Sequence, residues 1–318
     1  MITVIANGPA RGPTYTMIPA LRQWQETKLV CAQLDGYRGW EPGFMPQSEN
    51  DWQLVASWIE RSDFCLVLSN AGFRALPTED GRFIAYMEDT ETLRNLKYAQ
   101  GNLAIADKVF AVPDLMRVLP DATPLLQPTE IRPYRPRRER VVICHSPGSQ
   151  NKYAQKRSRL IQDTITRLAG KFDFEYRVLM GLPHAECLDI KADADIFIDT
   201  LATDSYIRGV AKSGLEAMAA GAVVVTAMDD YWGPHIPARD AQNADELEAV
   251  LRELLTQPRE ALVEQGQASR DWAKRHVAPE AWLTYFRAHL PEDLRRTTRI
   301  LSSRTGRATG FAPAWRAT

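Results

Sequence analysis

The segment GVAKSGLEAMAAGAVVV, from Gly209 to Val225, contains one acid, Glu216, within a stretch of small and apolar residues. An ionised carboxylate carries only acceptors, so it can take hydrogen bonds from two neighbouring hydroxyls, as on a ribose 2′,3′-diol. The pattern predicts a helix opening at Ser213-Gly214, where free backbone N–H groups and the positive dipole end favour a diphosphate and glycine permits its close approach. A second reading of the same spacing stays open. Ser213-x-x-Glu216 has the form of a capping box, in which the glutamate would satisfy an orphan amide at the helix start.

Other residue types that could do chemistry are scattered along the chain. His145 ends the predicted strand RVVICH; it could donate to a phosphate or a sugar, or be satisfied internally at the strand end. Glu88 and Asp89, in YMEDTET, follow another strand; one of them could act as a base or orient an acceptor, unless Asp89 or Thr90 caps a helix. Gly8, Arg11 and Gly12 fall in the first strand-to-helix loop. Asp193 and Asp195 form a D-x-D, which reads as a helix-to-strand turn because it precedes the strand IFIDT rather than following it. No essential metal is expected, since His145, His184, His235, His276 and His289 show no H-x-x-x-H spacing.

Short β-branched runs alternate with helical patterns throughout the chain, which predicts parallel α/β layers. Strands are read at ITVIAN, KLVCAQ, FCLVLS, RFIAYM and KVFAVP, and, after a break, at RVVICH, FEYRVLM, DIFIDT and AVVVTA. In the helix NDWQLVASWIERS, Trp52, Val55, Ala56 and Ile59 share one face. The break lies between Pro120 and Arg140, where five prolines and five arginines exclude both a helix and a central strand. The 318 residues therefore divide into a Rossmann-like domain at 1–125, a Pro/Arg-rich linker at 126–140, a second Rossmann-like domain at 141–275, and a C-terminal helix with a basic tail at 276–318. Two doubly wound domains facing a central cleft would present the carboxyl ends of both sheets to one ligand.

Composition narrows the class further. Hydrophobic residues at 45% and charged residues at 25% are typical of a globular protein, and no apolar run reaches transmembrane length. The start, MITVIANGP, reads directly as a first strand, so a cytoplasmic location is expected. Cys31, Cys65, Cys144 and Cys187 stand apart and are expected to be reduced and mostly buried. The net charge of −1 conceals a tail with no acid after Asp293 and six arginines. Neither first strand is followed by G-x-G-x-x-G, which argues against a third reading, a Rossmann oxidoreductase.

GVAKSGLEAMAAGAVVV resembles the nucleotide-binding motif of GT-B glycosyltransferases, above all the retaining family 4 group, with its G-x-x-x-x-x-L-E-A-M-A-x-G-x-P-V-V pattern. ICHSPGSQNKYAQKR and CLDIKADADIFIDT resemble the family's glycine loop and the segment leading into the preceding strand, so the similarity covers about residues 140–230. The resemblance implies that Glu216 holds the nucleotide ribose and that Ser213 with Gly214 holds the diphosphate. It further implies that Lys152 and Arg157 neutralise the departing phosphates, with Gly148 letting the loop approach. Gly181 and Leu182 would sit at the nucleobase, and the loop with Gly8, Arg11 and Gly12 would touch acceptor and donor. Two positions depart from the pattern: Arg208 stands where the family has an acid, and Val223 replaces its proline.

The expected function is therefore transfer of a sugar from a nucleotide-diphosphate donor, without a cofactor, to a saccharide or to a modified base in DNA. The linker arginines and the basic tail favour a polyanionic acceptor. The alternative is a catalytically inactive nucleotide-binding or scaffold protein derived from such an enzyme.

Overall fold

A computed structural model of the chain describes residues 1–6, 13–31, 44–68, 82–87, 97–148, 153–154, 156–201, 208–232 and 236–297. The chain divides into two compact units. Unit 1 comprises Met1–Pro128 together with the helices that begin at Pro279, and unit 2 comprises Thr129–Ala278.

Unit 1 contains β1 (Ile2–Ala6), α1 (Pro13–Trp24), β2 (Thr27–Cys31), α2 (Glu49–Glu60), β3 (Phe64–Leu68), β4 (Phe83–Met87), α3 (Lys97–Ile105), β5 (Lys108–Ala111) and β6 (Thr123–Pro124). These strands form a parallel sheet in the order β2-β1-β3-β4-β5-β6. Every residue of β1, β3 and β4 is buried, because helices cover both faces of such a sheet. The two-residue strand period divides their side chains between two cores. Val4, Leu66 and Leu68 face one, while Ile5, Cys65 and Val67 face the other with Val55 and Ile59 of α2. Trp52 of α2 is exposed rather than sharing that buried face, so the helix buries a narrower stripe than its sequence suggests. A capping box starts this helix: Ser48 Oγ accepts from the Asp51 N–H at 3.2 Å and Asp51 Oδ2 accepts from the Ser48 N–H at 2.9 Å.

Unit 2 contains β7 (Val141–Gly148), α4 (Ser158–Ala169), β8 (Phe174–Met180), α5 (His184–Lys191), β9 (Ile196–Ile198), α6 (Lys212–Ala220), β10 (Val223–Thr226), β11 (Ala238–Asp240), α7 (Ala244–Thr256) and α8 (Arg259–His276). Its parallel sheet has the order β11-β10-β9-β7-β8. The topology reverses between β7 and β9, and in open α/β sheets that reversal marks the ligand crevice outside the carboxyl ends of the strands.

Two segments differ from the sequence expectation. The C-terminal helices α9 (Pro279–Ala288) and α10 (Glu292–Thr297) form part of unit 1: Trp282, Phe286, Leu290 and Leu294 enter its core. Trp282 and Phe286 stack at 5.2 Å, and Phe286 meets Phe110 at 5.0 Å. Their spacing of four residues places them on one helix face, which must be covered somewhere. The arginines of the Pro/Arg-rich segment, read as available to a polyanion, are instead spent on unit 2. Arg132 and Arg135 share Asp189, Arg138 binds Asp193, and Arg140 binds Asp173. Arg137 is buried and donates to the Ala192 and Ala220 carbonyls.

Because α9 closes the core of unit 1, Phe286→Ala should lower stability by about 3–5 kcal/mol through lost burial and the cavity left behind. Chemical denaturation of the full chain, followed by tryptophan fluorescence, measures the change.

Candidate functional site

The carboxyl edge of the unit 2 sheet is organised by buried polar side chains. His145, near the end of β7, is fully buried. Its Nδ1–H donates to the Ile198 carbonyl of β9 at 2.8 Å, and its Nε2 lies 2.7 Å from Ser158 Oγ at the start of α4. A carbonyl can only accept, so the neutral ring carries its proton on Nδ1 and Nε2 accepts from the serine hydroxyl. Burial, reinforced by the nearby Lys156 charge, pushes the imidazole down to about 4. Both nitrogens are thereby engaged within the protein. His145 is a strand-to-strand tie rather than a donor turned toward a ligand, which corrects its reading as a catalytic candidate.

Asp199, just beyond β9, is also fully buried. Its Oδ1 takes the Lys156 ammonium at 2.5 Å and its Oδ2 takes the Ala211 N–H at 2.8 Å. Ala211 is the N-cap of α6 and offers no capping side chain, and the carboxylate that follows β9 accepts its backbone N–H. Gly214 is the residue that leaves room for this arrangement: a Cβ there would lie 2.6 Å from Asp199 Oδ2 and 2.7 Å from Val210 Cγ1. The helix begins one residue earlier than the sequence suggests. Ser213 is therefore inside the first turn and cannot be the N-cap, and the capping box with Glu216 does not form. Ser213 Oγ is buried with no hydrogen-bond partner among the described residues.

Glu216 binds elsewhere. Its Oε1 accepts from His184 Nε2 at 2.8 Å and its Oε2 takes the Lys191 ammonium at 2.6 Å. Burial alone would push this carboxyl up. The Lys191 charge, the His184 hydrogen bond and the Lys212 charge outweigh it and hold the group well below the usual carboxylate range.

Arg208 is half-buried, and its backbone is firmly mounted. The Arg208 carbonyl accepts from Trp232 Nε1 at 3.2 Å, and the next residue, Gly209, donates to the Ala227 carbonyl at 2.6 Å and accepts from Thr226 Oγ1 at 2.9 Å. Gly209 has φ +108, and a Cβ on it would sit 1.7 Å from Trp232 Nε1, so only glycine fits. Gly148 ends β7 with φ +76 after a register shift, and Gly181 follows β8 with φ +71. Leu182 is exposed beside it. Arg157 precedes α4 in a left-handed conformation, φ 56. Gly8, Arg11, Gly12, Glu88, Asp89 and Lys152 lie outside the described residues.

The D-x-D stands at the turn between α5 and β9. Asp193 meets Arg135, Arg138 and Arg177, while Asp195 takes Arg259 at 2.7 Å and the Val142 N–H at 2.8 Å. Four participants are not singled out by the sequence pattern: Asp199, Lys156, Lys191 and Ser158. The only available signals were an acid ending the strand IFIDT and a second lysine four residues after Lys152.

Neither a protein-family model nor a curated protein sequence matches the chain. Solved structures do match in fold. AviGT4, a glycosyltransferase involved in avilamycin A biosynthesis, has TM-score 0.55 and 14% identity over 94% of this chain and 98% of that one. WaaG, a glycosyltransferase involved in lipopolysaccharide biosynthesis, has TM-score 0.56 and 12% identity over 90% and 99%. The DNA-modifying enzyme β-glucosyltransferase has TM-score 0.50 and 12% identity over 92% and 99%. The protein has the α/β fold of GT-B glycosyltransferases, with two parallel sheets and interleaved helices. Among the described residues no helix is long and apolar enough to cross a membrane.

Two predictions follow from the ties at this edge. His145 has a folded-state pKa of about 4 against 6.5 for the free group, so its contribution is complete above pH 6.5 and is lost as pH falls from 6.5 toward 4. The loss should reach about 3 kcal/mol relative to His145→Asn, read as the difference between their pH–stability curves. Gly209→Ala should cost about 1–3 kcal/mol from backbone strain and displacement of the Trp232 indole, visible as a lower melting temperature.

Proposed function

We propose that this protein is a nucleotide-sugar-dependent glycosyltransferase that holds its donor at the carboxyl edge of the unit 2 sheet. One observation carries the reading. At the strand-order reversal, the start of α6 brings together the N–H groups that precede its first intrahelical bond and the unsatisfied Ser213 hydroxyl, with the ionised Glu216 one turn further along. The likeness to solved glycosyltransferases supports it.

In this reading the diphosphate lies at Ser213 and Gly214, with Gly148 at the end of β7 allowing its approach. Lys152 and Arg157 add positive charge where the leaving phosphate gains negative charge. The ribose hydroxyls reach Glu216, the base lies near Gly181 and Leu182, and Arg208 meets the donor sugar or its phosphate. The acceptor binds on unit 1 through the loop of Gly8, Arg11 and Gly12, with Glu88 or Asp89 orienting or deprotonating its hydroxyl. Transfer is read as retaining and metal-independent, the chain's own cations and helix start stabilising the leaving group. The acceptor is a saccharide or a modified base in DNA, and the engagement of Arg132, Arg135 and Arg138 withdraws one argument for the polyanion.

A thermal-shift series with UDP, GDP, ADP and their sugars tests the site, because a ligand specific to the folded state raises the melting temperature. One nucleotide should stabilise the protein, and Glu216→Ala should weaken its binding roughly 10–100-fold. Donor hydrolysis or transfer should persist after chelation and be lost in Lys152→Ala. Binding without turnover on saccharide or modified-DNA acceptors would select the inactive nucleotide-binding protein instead, and no shift with any nucleotide would remove the site assignment.

A further inference from the structure

α5 spans only His184 to Lys191, yet both of its ends reach the same carboxylate on α6. Seven residues are close to two helical turns, so the first and last side chains of α5 lie on one face and converge on Glu216. Each carboxylate oxygen takes one donor: His184 Nε2 at 2.8 Å on Oε1 and Lys191 Nζ at 2.6 Å on Oε2. Each oxygen has two acceptor directions, so among the described residues one on each is left for hydroxyl donors from a ligand.

The triad is sealed on one side. The Lys191 and Glu216 side chains are 3% and 6% exposed, whereas His184 is 20% exposed, so the triad opens to solvent on the His184 side. Lys191 also lies 5.5 Å over the Phe197 ring of β9. That contact makes Lys191 a fixed charge behind the carboxylate rather than a group free to reach outward.

We propose that Lys191 is a positioning residue for nucleoside recognition, holding Glu216 ionised and rigid so that its two outward acceptor directions receive a vicinal diol, with His184 fixing the other oxygen. This rests on the nucleotide-sugar reading above and adds a requirement to it: the protein must prefer a ribonucleotide over its 2′-deoxy analogue because of Lys191, a residue that does not touch the ligand.

The test is calorimetric binding of UDP, GDP and ADP against dUDP, dGDP and dADP to the full-length protein, Lys191→Met, Lys191→Arg, Glu216→Gln and the double variant. The wild type should prefer the ribo form at least about tenfold. Lys191→Met should remove most of that preference, and Lys191→Arg should restore part of it. The double variant should be no worse than Glu216→Gln alone, since Lys191 acts only through that carboxylate. The double variant buries no unmatched charge, so it keeps the test available if Lys191→Met does not fold. A folded Lys191→Met with the full ribo preference overturns the proposal. So do losses that add in the double variant, which would mean that Lys191 meets the ligand itself. Nucleotide binding by the wild type without ribo preference overturns the clamp alone, whereas no nucleotide binding at all overturns the underlying site as well.

Discussion

Asp199 leaves β9 with its side chain sealed from water, and an ionised carboxylate so placed needs partners for both oxygens. It finds Lys156 from the approach to α4 and the Ala211 N–H at the start of α6. That requirement joins the segments that follow β7 and β9, and it makes Gly214 the residue that fits beside it. His145 makes a second connection, linking β7 to β9 and to Ser158. The reversal point of the sheet is thus held by two polar residues rather than by apolar packing alone. Such a buried network gives fixed geometry when every member is satisfied.

Charge is arranged along α6 in the same sense. At its C-terminal end, Arg137 donates to the Ala220 carbonyl and Arg270 to the Ala219 carbonyl, with Gly221 closing the helix. Cations there complement the negative end of the helix dipole. Arginines of the proline-rich segment and of α8 thus engage the end of α6 remote from the proposed ligand. The helix start, with its orphan Ser213 hydroxyl, stands at the carboxyl edge of the sheet.

Much of the architecture was legible in the residues. Runs such as ITVIA and FCLVL are too uniformly apolar for a half-exposed strand, and they form the fully buried centre of a parallel sheet. The helix containing KSGLEAMAA is visible in the sequence, although it begins one residue earlier than the pattern suggests. That shift matters because it removes Ser213 from the cap and leaves its hydroxyl unsatisfied. The acceptor of the N-cap amide is Asp199, twelve residues earlier in the chain, and no local pattern announces it. The arginines between Arg132 and Arg140 were visible as a cluster, but their partners were not, and a cluster of like charge reads as available until its acids are found.

By itself the sequence determined the succession of strands and helices, the change of domain near the prolines, and the unusual place of Glu216 among small residues. These depend on hydrophobic periodicity, backbone preference and residue type, all local in the chain. Only the tertiary structure decided what Glu216 does with its charge, since Lys191 and His184 lie 25 and 32 residues away. It likewise decided that His145 is a buried tie and that α9 belongs to the first core. Partner choice among polar groups is settled by which of them are desolvated together, and that is a property of the folded chain rather than of spacing.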